Sequence, residues 1–349
     1  MTSDPGRLLV LAPNWLGDAV MALPAIADVR RAFPSASMVV AARGGVAELF
    51  RLVPGVDDVI ALRWRGSLLD HRGFYADAAL LGEVGGDIAL LLPNSFASAW
   101  MVRYAGVPER WGYAGDWRGT MLTRAVPRPR QSLHQGRYYQ HLTEALGAEP
   151  GPLTPELRVP QAAIDAARER LMAAGWDGHA ALVVLAAGAA YGTAKRWIPE
   201  HVARLVDGLS GEGHAVSVLV GSPADRPTMA LIQARVSSSA RLIDLTGSTT
   251  LDVLAGVLTL ARACVSNDSG AMHVAAAVGT PLVALFGPTR EHETAPLTRA
   301  GGRAEILSEP VWCRPCMMRE CPLDHRCMTR LTPERVRESL DPYLAGGVS

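Results

Sequence analysis

The chain is 349 residues long, 49% hydrophobic and 19% charged, and its 34 acidic and 34 basic side chains cancel. That length exceeds one typical core and sets two domains as the starting expectation, while the even charge balance excludes a global polycation for nucleic acid. Residues 1–7 lack a basic-then-apolar signal pattern and no apolar run is long enough to cross a bilayer. The expectation is therefore a soluble cytoplasmic protein with at most peripheral membrane contact.

Short apolar runs alternate with amphipathic helical patterns along the chain. In the first half, strands are predicted at 7–11, 38–41, 59–62 and 87–92, and helices at 18–33, 45–52, 71–84, 95–105 and 134–146. Residues 149–160 hold four prolines, which break regular structure and mark a domain boundary. Beyond it the alternation resumes, with strands predicted near 181–185, 215–220, 241–244, 263–267 and 281–286. Helices are predicted at 162–174, 199–212, 224–237, 250–261 and 269–278, and a last one at 333–344. This rhythm argues for an α/β protein with parallel sheets covered on both faces. The expected domains are 1–155 and 156–330, followed by a terminal helix within 331–349, and a cleft between tandem units is the default ligand site.

Familiar nucleotide signatures are missing. No Gly-x-Gly-x-x-Gly follows the first strand and no Gly-x-x-x-x-Gly-Lys occurs, which disfavours dehydrogenases and P-loop enzymes. No two aspartates lie two residues apart, which removes the Asp-x-Asp pattern that often holds a divalent cation under a nucleotide diphosphate.

Lys195 is the only lysine, every other basic residue being arginine. It lies in Gly188-Ala-Ala-Tyr-Gly-Thr-Ala-Lys195, a small-residue loop between an apolar run and a helical pattern. A compact point charge there suits a phosphate, although chance survival in an arginine-biased chain also accounts for it. The segment Asn267-Asp-Ser-Gly-Ala-Met-His273 ends one predicted strand and starts a helix. Asp268 or Ser269 can cap that helix, Gly270 permits close backbone approach, and His273 shares a helix face with Ser269. An anion site and an ordinary N-cap fit equally well. Asp18 follows Gly17 at the predicted start of the first helix, at the carboxyl end of a strand, with the same two readings.

Taken together, Asn14-Trp-Leu-Gly-Asp18, Pro93-Asn-Ser-Phe-Ala-Ser98, Ala194-Lys-Arg-Trp197 and Asn267-Asp-Ser-Gly-Ala-Met-His273 resemble the bacterial ADP-heptose:lipopolysaccharide heptosyltransferases. The likeness runs from about Arg7 through the last helix, and its asparagine-tryptophan and Pro-Asn-Ser forms are closer to heptosyltransferase II than to heptosyltransferase I. It implies a GT-B fold, with two Rossmann-like domains facing across a cleft. The first would hold a lipid A–inner-core glycolipid acceptor and the second ADP-heptose, with the last helix crossing back to the first domain. It implies an inverting glycosyltransferase of lipopolysaccharide core biosynthesis, working without a metal at the cytoplasmic face of the inner membrane. Asp18 matches the general base, Lys195 the lysine that meets the diphosphate, and Asp268, Ser269, Gly270 and His273 the donor loop. Asn14 falls on the acceptor side. Relatives carry hydroxyl residues shortly before the lysine, where this chain has Ala189, Ala190 and Tyr191; Thr193 is the substitute donor, and Asp225 is placed to reach a ribose. A nucleotide-sugar epimerase and a non-catalytic nucleotide-sugar sensor are the alternatives.

Two further clusters stand out. Seven arginines between Arg103 and Arg137 face only Glu109 and Asp116; a basic face would suit an anionic glycolipid, with Arg103 and Arg118 the candidates, and a solvated surface is the plain alternative. Cys313, Cys316, Cys321 and Cys327 crowd one segment with His325. Such a set can bind zinc or an iron–sulfur cluster, but the spacing fits no standard zinc module. A reduced, packed, structural loop is preferred, away from Lys195 in sequence.

Overall fold

The computed structural model describes residues 5–67, 69–212 and 215–344; residues 1–4, read above for a targeting pattern, lie outside the described residues. The chain divides into two units, Met1–Arg158 and Val159–Ser349, at a point inside the proline-rich segment.

Each unit is built on one parallel sheet. The first contains β1 (Arg7–Leu11), β2 (Ser37–Arg43), β3 (Asp58–Leu62), β4 (Ile88–Leu91), β5 (Glu109–Tyr113) and β6 (Arg124–Val126). The second contains β7 (Leu182–Ala186), β8 (Val216–Leu219), β9 (Leu242–Asp244), β10 (Ala263–Asn267), β11 (Leu282–Phe286) and β12 (Ala304–Ser308). Their spatial orders are β3-β2-β1-β4-β5-β6 and β12-β11-β10-β7-β8-β9, the same doubly wound, Rossmann-like order in both. Every residue of β4, β7, β10 and β11 is buried, as central parallel strands covered on both faces require. The winding reverses between β1 and β4 and between β7 and β10. Loops leaving those neighbours diverge, and the crevice so formed at the strand carboxyl ends is where such sheets bind ligands.

Three strands escaped the sequence pattern. β5 carries Glu109 and Arg110, β6 is three residues long, and β12 is an edge strand with Glu305 and Ile306 exposed. None presents the continuous apolar run of a central strand. The helix predicted at 18–33 is two helices, Leu16–Met21 and Leu23–Ala32, meeting at Ala22. Pro24 opens the second, and lacking an N–H it cannot continue the hydrogen-bond ladder of the first.

The last helix is Pro333–Leu344. It lies on the helix Pro199–Glu212, with Val336 and Leu340 fully buried in that unit's core. The helices Gln161–Ala173 and Leu251–Leu260 pack closely in the second unit: a Cβ on Gly256 would lie 2.5 Å from the Ala163 carbonyl oxygen. Gly256→Val should therefore force these helices apart and cost about 2 kcal/mol, read as a lower urea midpoint. An unchanged midpoint would refute the close packing.

Candidate functional site

At the switch point of the second unit, the loop after β7 meets the loop after β10. The Lys195 ammonium lies 2.6 Å from the Asp268 carboxylate, with side-chain exposures of 14% and 5%. The Thr289 hydroxyl donates to the same Asp268 oxygen at 2.7 Å. Two charges this deep need each other: each offsets the other's lost hydration. A latch beside them fixes the two loops, since Asn267 Oδ1 accepts from the Trp197 N–H at 3.1 Å and its Nδ2 donates to the Ala187 carbonyl at 2.8 Å.

Helix capping explains neither acidic-loop residue. Ser269 holds the N-cap position of the helix Gly270–Val278 without a side-chain capping bond, and its hydroxyl lies 3.1 Å from that of Ser266. Asp268 is committed to Lys195 and Thr289. The first N–H groups of that helix have no intrahelical partner, and Gly270 leaves their approach open. His273 is buried one turn on, while Thr193 is exposed in the tight turn Thr193–Lys195. Asp225 spends Oδ2 locally, accepting from the Ser222 N–H at 2.9 Å and the Ser222 hydroxyl at 2.7 Å. It also sits against Gly188, where a Cβ would come within 2.4 Å of its carboxyl carbon; glycine there lets the carboxylate lie at the end of β7.

The cysteine-rich segment, distant from Lys195 in sequence, is pressed against its loop. The Ala194 N–H donates to the Arg319 carbonyl at 3.0 Å, His325 Nε2 lies 2.7 Å from the Ala194 carbonyl, and the Tyr191 hydroxyl donates to the Met317 carbonyl at 3.0 Å. A Cβ at position 192 would stand 2.2 Å from the Arg319 carbonyl oxygen, so Gly192 is required. Met317 and His325 adopt left-handed backbone, φ 56° and 57°, a strained conformation for such residues that these contacts hold in place. On the other flank, Arg314 pairs with Glu291 at 2.8 Å and donates to the Thr289 carbonyl at 3.2 Å. The segment thus braces both sides of the Lys195–Asp268 pair. Its four thiols line a small hollow beside Ala194. Burial, then the neighbouring thiols, push the Cys327 thiol up to about 11. Among the described residues no group of three or more His, Cys, Asp or Glu side chains is placed to hold a metal ion. Cys264, in β10, is a buried core thiol that burial pushes up to about 12.

The first unit has its own crevice at its own switch point, a concavity of about 460 Å³ lined by Leu11, Asn14, Arg43, Trp64, Pro93 and Ser95 among others. The Asn14 and Pro93-Asn-Ser motifs, far apart in sequence, meet here because β1 and β4 are neighbours. Asp18, half-buried, lies in the first turn of Leu16–Met21, whose N-cap is Trp15; Asp18 is inside the helix rather than its cap. Burial, and then the Asp18 charge, hold the Tyr139 phenol well above its usual range. Tyr139 thus lies within electrostatic reach of Asp18, though no sequence motif marked it.

The arginine cluster is divided: Arg103, Arg124, Arg128 and Arg130 are exposed, and Arg118 is buried. Arg118 is completely buried, donating to the Pro93 carbonyl, and burial lowers it to about 10. Arg110 donates to the Val107 carbonyl, Arg124 lies 4.5 Å from the Trp111 ring, and Arg128 pairs with Asp116 at 2.9 Å. Arg103 remains exposed, reaching the Thr120 carbonyl at 3.5 Å. The expected basic face therefore does not include Arg118, which instead supports the loop 93–95 from beneath.

Comparison with known proteins adds the following. Residues 78–326 match glycosyltransferase family 9 (heptosyltransferase). Lipopolysaccharide heptosyltransferase 2 of Salmonella typhimurium is 30% identical, over 97% of this chain and 99% of its own length. Lipopolysaccharide heptosyltransferase 1 of Pseudomonas aeruginosa is 29% identical, over 97% and 98%. The structure of E. coli ADP-heptose lps heptosyltransferase II superimposes with a TM-score of 0.84 at 29% identity, covering 97% of this chain and 98% of that one.

The buried pair makes a stability prediction. Lys195→Ala strands a 5%-exposed carboxylate and should cost about 3 kcal/mol or more in urea unfolding of the second unit. Adding Asp268→Asn to that variant should recover much of the loss. Equal stability of wild type and Lys195→Ala would show that the pair does not hold the loops.

Proposed function

The chain belongs to glycosyltransferase family 9, and on that footing we propose that it moves a heptose from ADP-heptose to the lipid A–inner-core glycolipid of lipopolysaccharide, inverting the anomeric carbon. It is a glycosyltransferase of the GT-B class. The observation that carries the substrate reading is the near full-length match to lipopolysaccharide heptosyltransferase 2. That match favours acceptor-dependent transfer over an epimerase or a sensor.

The donor belongs to the second unit. Lys195, the Thr193 hydroxyl and the first-turn N–H groups of Gly270–Val278 bind the diphosphate, with Ser269 and Gly270 forming the floor and His273 beneath it. Asp268 orients Lys195, and the remaining oxygen of Asp225 faces a ribose hydroxyl. The acceptor belongs to the first unit, at Asn14, with Asp18 as base and Arg103 as a more distant contact for its anionic groups. Arg118 contributes only through the loop it supports. In the reaction an acceptor hydroxyl oxygen bonds to the anomeric carbon while the bond from that carbon to the β-phosphate oxygen breaks. The hydroxyl proton passes to the Asp18 carboxylate, and ADP leaves with the electron pair, its charge met by Lys195 and the helix N–H groups. No step calls for a divalent cation or for a metal at Cys313, Cys316, Cys321 or Cys327.

A lipid-anchored acceptor calls for contact with the bilayer, and we assign it to one face of the first unit. Tyr75, Phe96, Trp100 and Tyr104 are all more than a third exposed and join through ring contacts to Phe74 and Trp64. Trp64 is also a wall of the acceptor crevice. Exposed Arg63, Arg65, Arg72 and Arg103 surround this face, and no carboxylate pairs with them among the described residues. Aromatic rings flanked by arginines match the headgroup layer of an anionic membrane. No helix among the described residues is long and apolar enough to cross one. The setting is thus peripheral attachment at the cytoplasmic face of the inner membrane.

Asp18→Asn should lower turnover by about a hundredfold or more, the usual worth of a positioned base, while ADP-heptose binding by calorimetry stays near wild type and chelator leaves the wild-type rate unchanged. Near-normal turnover would return Asp18 to a helix-terminal role. Trp100→Ser with Tyr104→Ser should abolish co-sedimentation with vesicles containing phosphatidylglycerol and leave transfer to a delipidated acceptor intact. Unchanged sedimentation would remove this face from the membrane, and a wild type that dimerises through it would assign it to a second copy.

A further inference from the structure

Lys195 brings little net charge to the donor site, because Asp268 lies 2.6 Å away and the two cancel. A sugar-linked diphosphate carries a negative charge on each phosphoryl group, so an uncompensated cation is still required. One stands beside the pair. The Arg319 guanidinium lies 5.1 Å from the Tyr191 ring centroid, and the Lys195 ammonium lies 5.0 Å from the same centroid. Arg319 has no carboxylate partner among the described residues, and its side chain is exposed. Its backbone is nevertheless fixed: its carbonyl accepts from the Ala194 N–H at 3.0 Å, in the space that Gly192 leaves open. Tyr191 is held in turn by its hydroxyl bond to the Met317 carbonyl at 3.0 Å.

We propose that Arg319 is the second cation of the donor site and binds the diphosphate of the nucleotide sugar; this rests on the ADP-sugar reading given above. The ring of Tyr191 carries both cations on one rigid support, a cation–π arrangement that limits the freedom lost on binding. The planar fork of arginine suits bidentate contact with phosphate oxygens, which the lysine cannot make. The arrangement also gives Tyr191 a purpose at a place where the heptosyltransferases that this chain resembles carry hydroxyl residues. Here an arginine delivered by the cysteine-rich segment joins Lys195 and Thr193 of the loop in phosphate recognition.

Calorimetric titration of ADP, inorganic pyrophosphate and adenosine into the full-length wild type, Arg319→Gln, Arg319→Lys and Tyr191→Leu tests this. Arg319→Gln should weaken ADP and pyrophosphate about tenfold or more, the worth of a charge-assisted hydrogen bond. Adenosine should bind unchanged, and Arg319→Lys should recover part of the loss. Tyr191→Leu should weaken ADP less, and its effect should not add to that of Arg319→Gln, since both act through one contact. Thermal unfolding confirms that each variant is folded. Unchanged ADP affinity in folded Arg319→Gln overturns the proposal. So does equal weakening of ADP and adenosine, which would make Arg319 a packing residue. A wild type that binds neither ADP nor pyrophosphate overturns the donor-site reading itself, and this proposal with it.

Discussion

The ion pair between Lys195 and Asp268 dictates the build of the second unit around it. A lysine and an aspartate this far from water are tolerable only if both are held in register, because misplacing either leaves the other desolvated. The surroundings supply that register. Thr289 donates to Asp268, Asn267 ties the two loops together, and Arg314 fixes the Thr289 backbone. The cysteine-rich segment then closes on the Lys195 loop from the opposite side through Arg319, Met317 and His325. The strained backbone at Met317 and His325 sits within this closure, and a loop with nothing to hold would relax.

The same constraint explains how much the sequence disclosed. A single lysine among arginines pointed to the loop after β7, and the alternation of apolar runs with helices revealed two parallel α/β units. The motifs at Asn14, Pro93, Lys195 and Asn267 all proved to lie at strand carboxyl ends beside a switch point, because they follow the central, largely buried strands β1, β4, β7 and β10. What stayed hidden was non-local. Nothing in the spacing of Cys313 to Cys327 indicates that its backbone carbonyls meet Ala194 and Tyr191. Backbone acceptors have no sequence signature, and Gly192 is legible as a contact point only once its neighbour is known. Tyr139 likewise reads as a core residue of its helix until the fold brings it near Asp18. Arg118 misled in the other direction: charge in a sequence suggests solvent, yet this arginine is completely buried. The edge strands β6 and β12 were lost because half-exposed strands carry too few apolar residues to show a period.

The two units share one strand order and line it differently. In the second, the crevice loops hold the Lys195–Asp268 pair and the first N–H groups of the helix Gly270–Val278. In the first, the crevice is walled by Leu11, Trp64 and Pro93 with few charges, and an aromatic face adjoins it. A nucleotide diphosphate and a sugar attached to a lipid differ in just this way. The first demands localised positive charge; the second demands shape and a boundary with the bilayer. The division of labour therefore follows from what lines each switch point, since the topology is common to both.

That contrast bears on catalysis by the proposed route. Binding a charged donor tightly does not by itself speed transfer; the groups that matter are those whose interaction strengthens as the glycosidic bond breaks. Charge grows on the β-phosphate as ADP leaves, so the ammonium best able to respond is one shared between two anions. On that route Lys195, held by Asp268 at rest, would attract a ground-state phosphate only partially and shift its hydrogen bonds toward the phosphate as that group becomes more negative. An uncompensated arginine at the same position would bind substrate and leaving group with more nearly equal strength. On the proposed route those tasks fall to two cations that share the ring of Tyr191, the unpaired Arg319 for holding the donor and the paired Lys195 for responding to its departure.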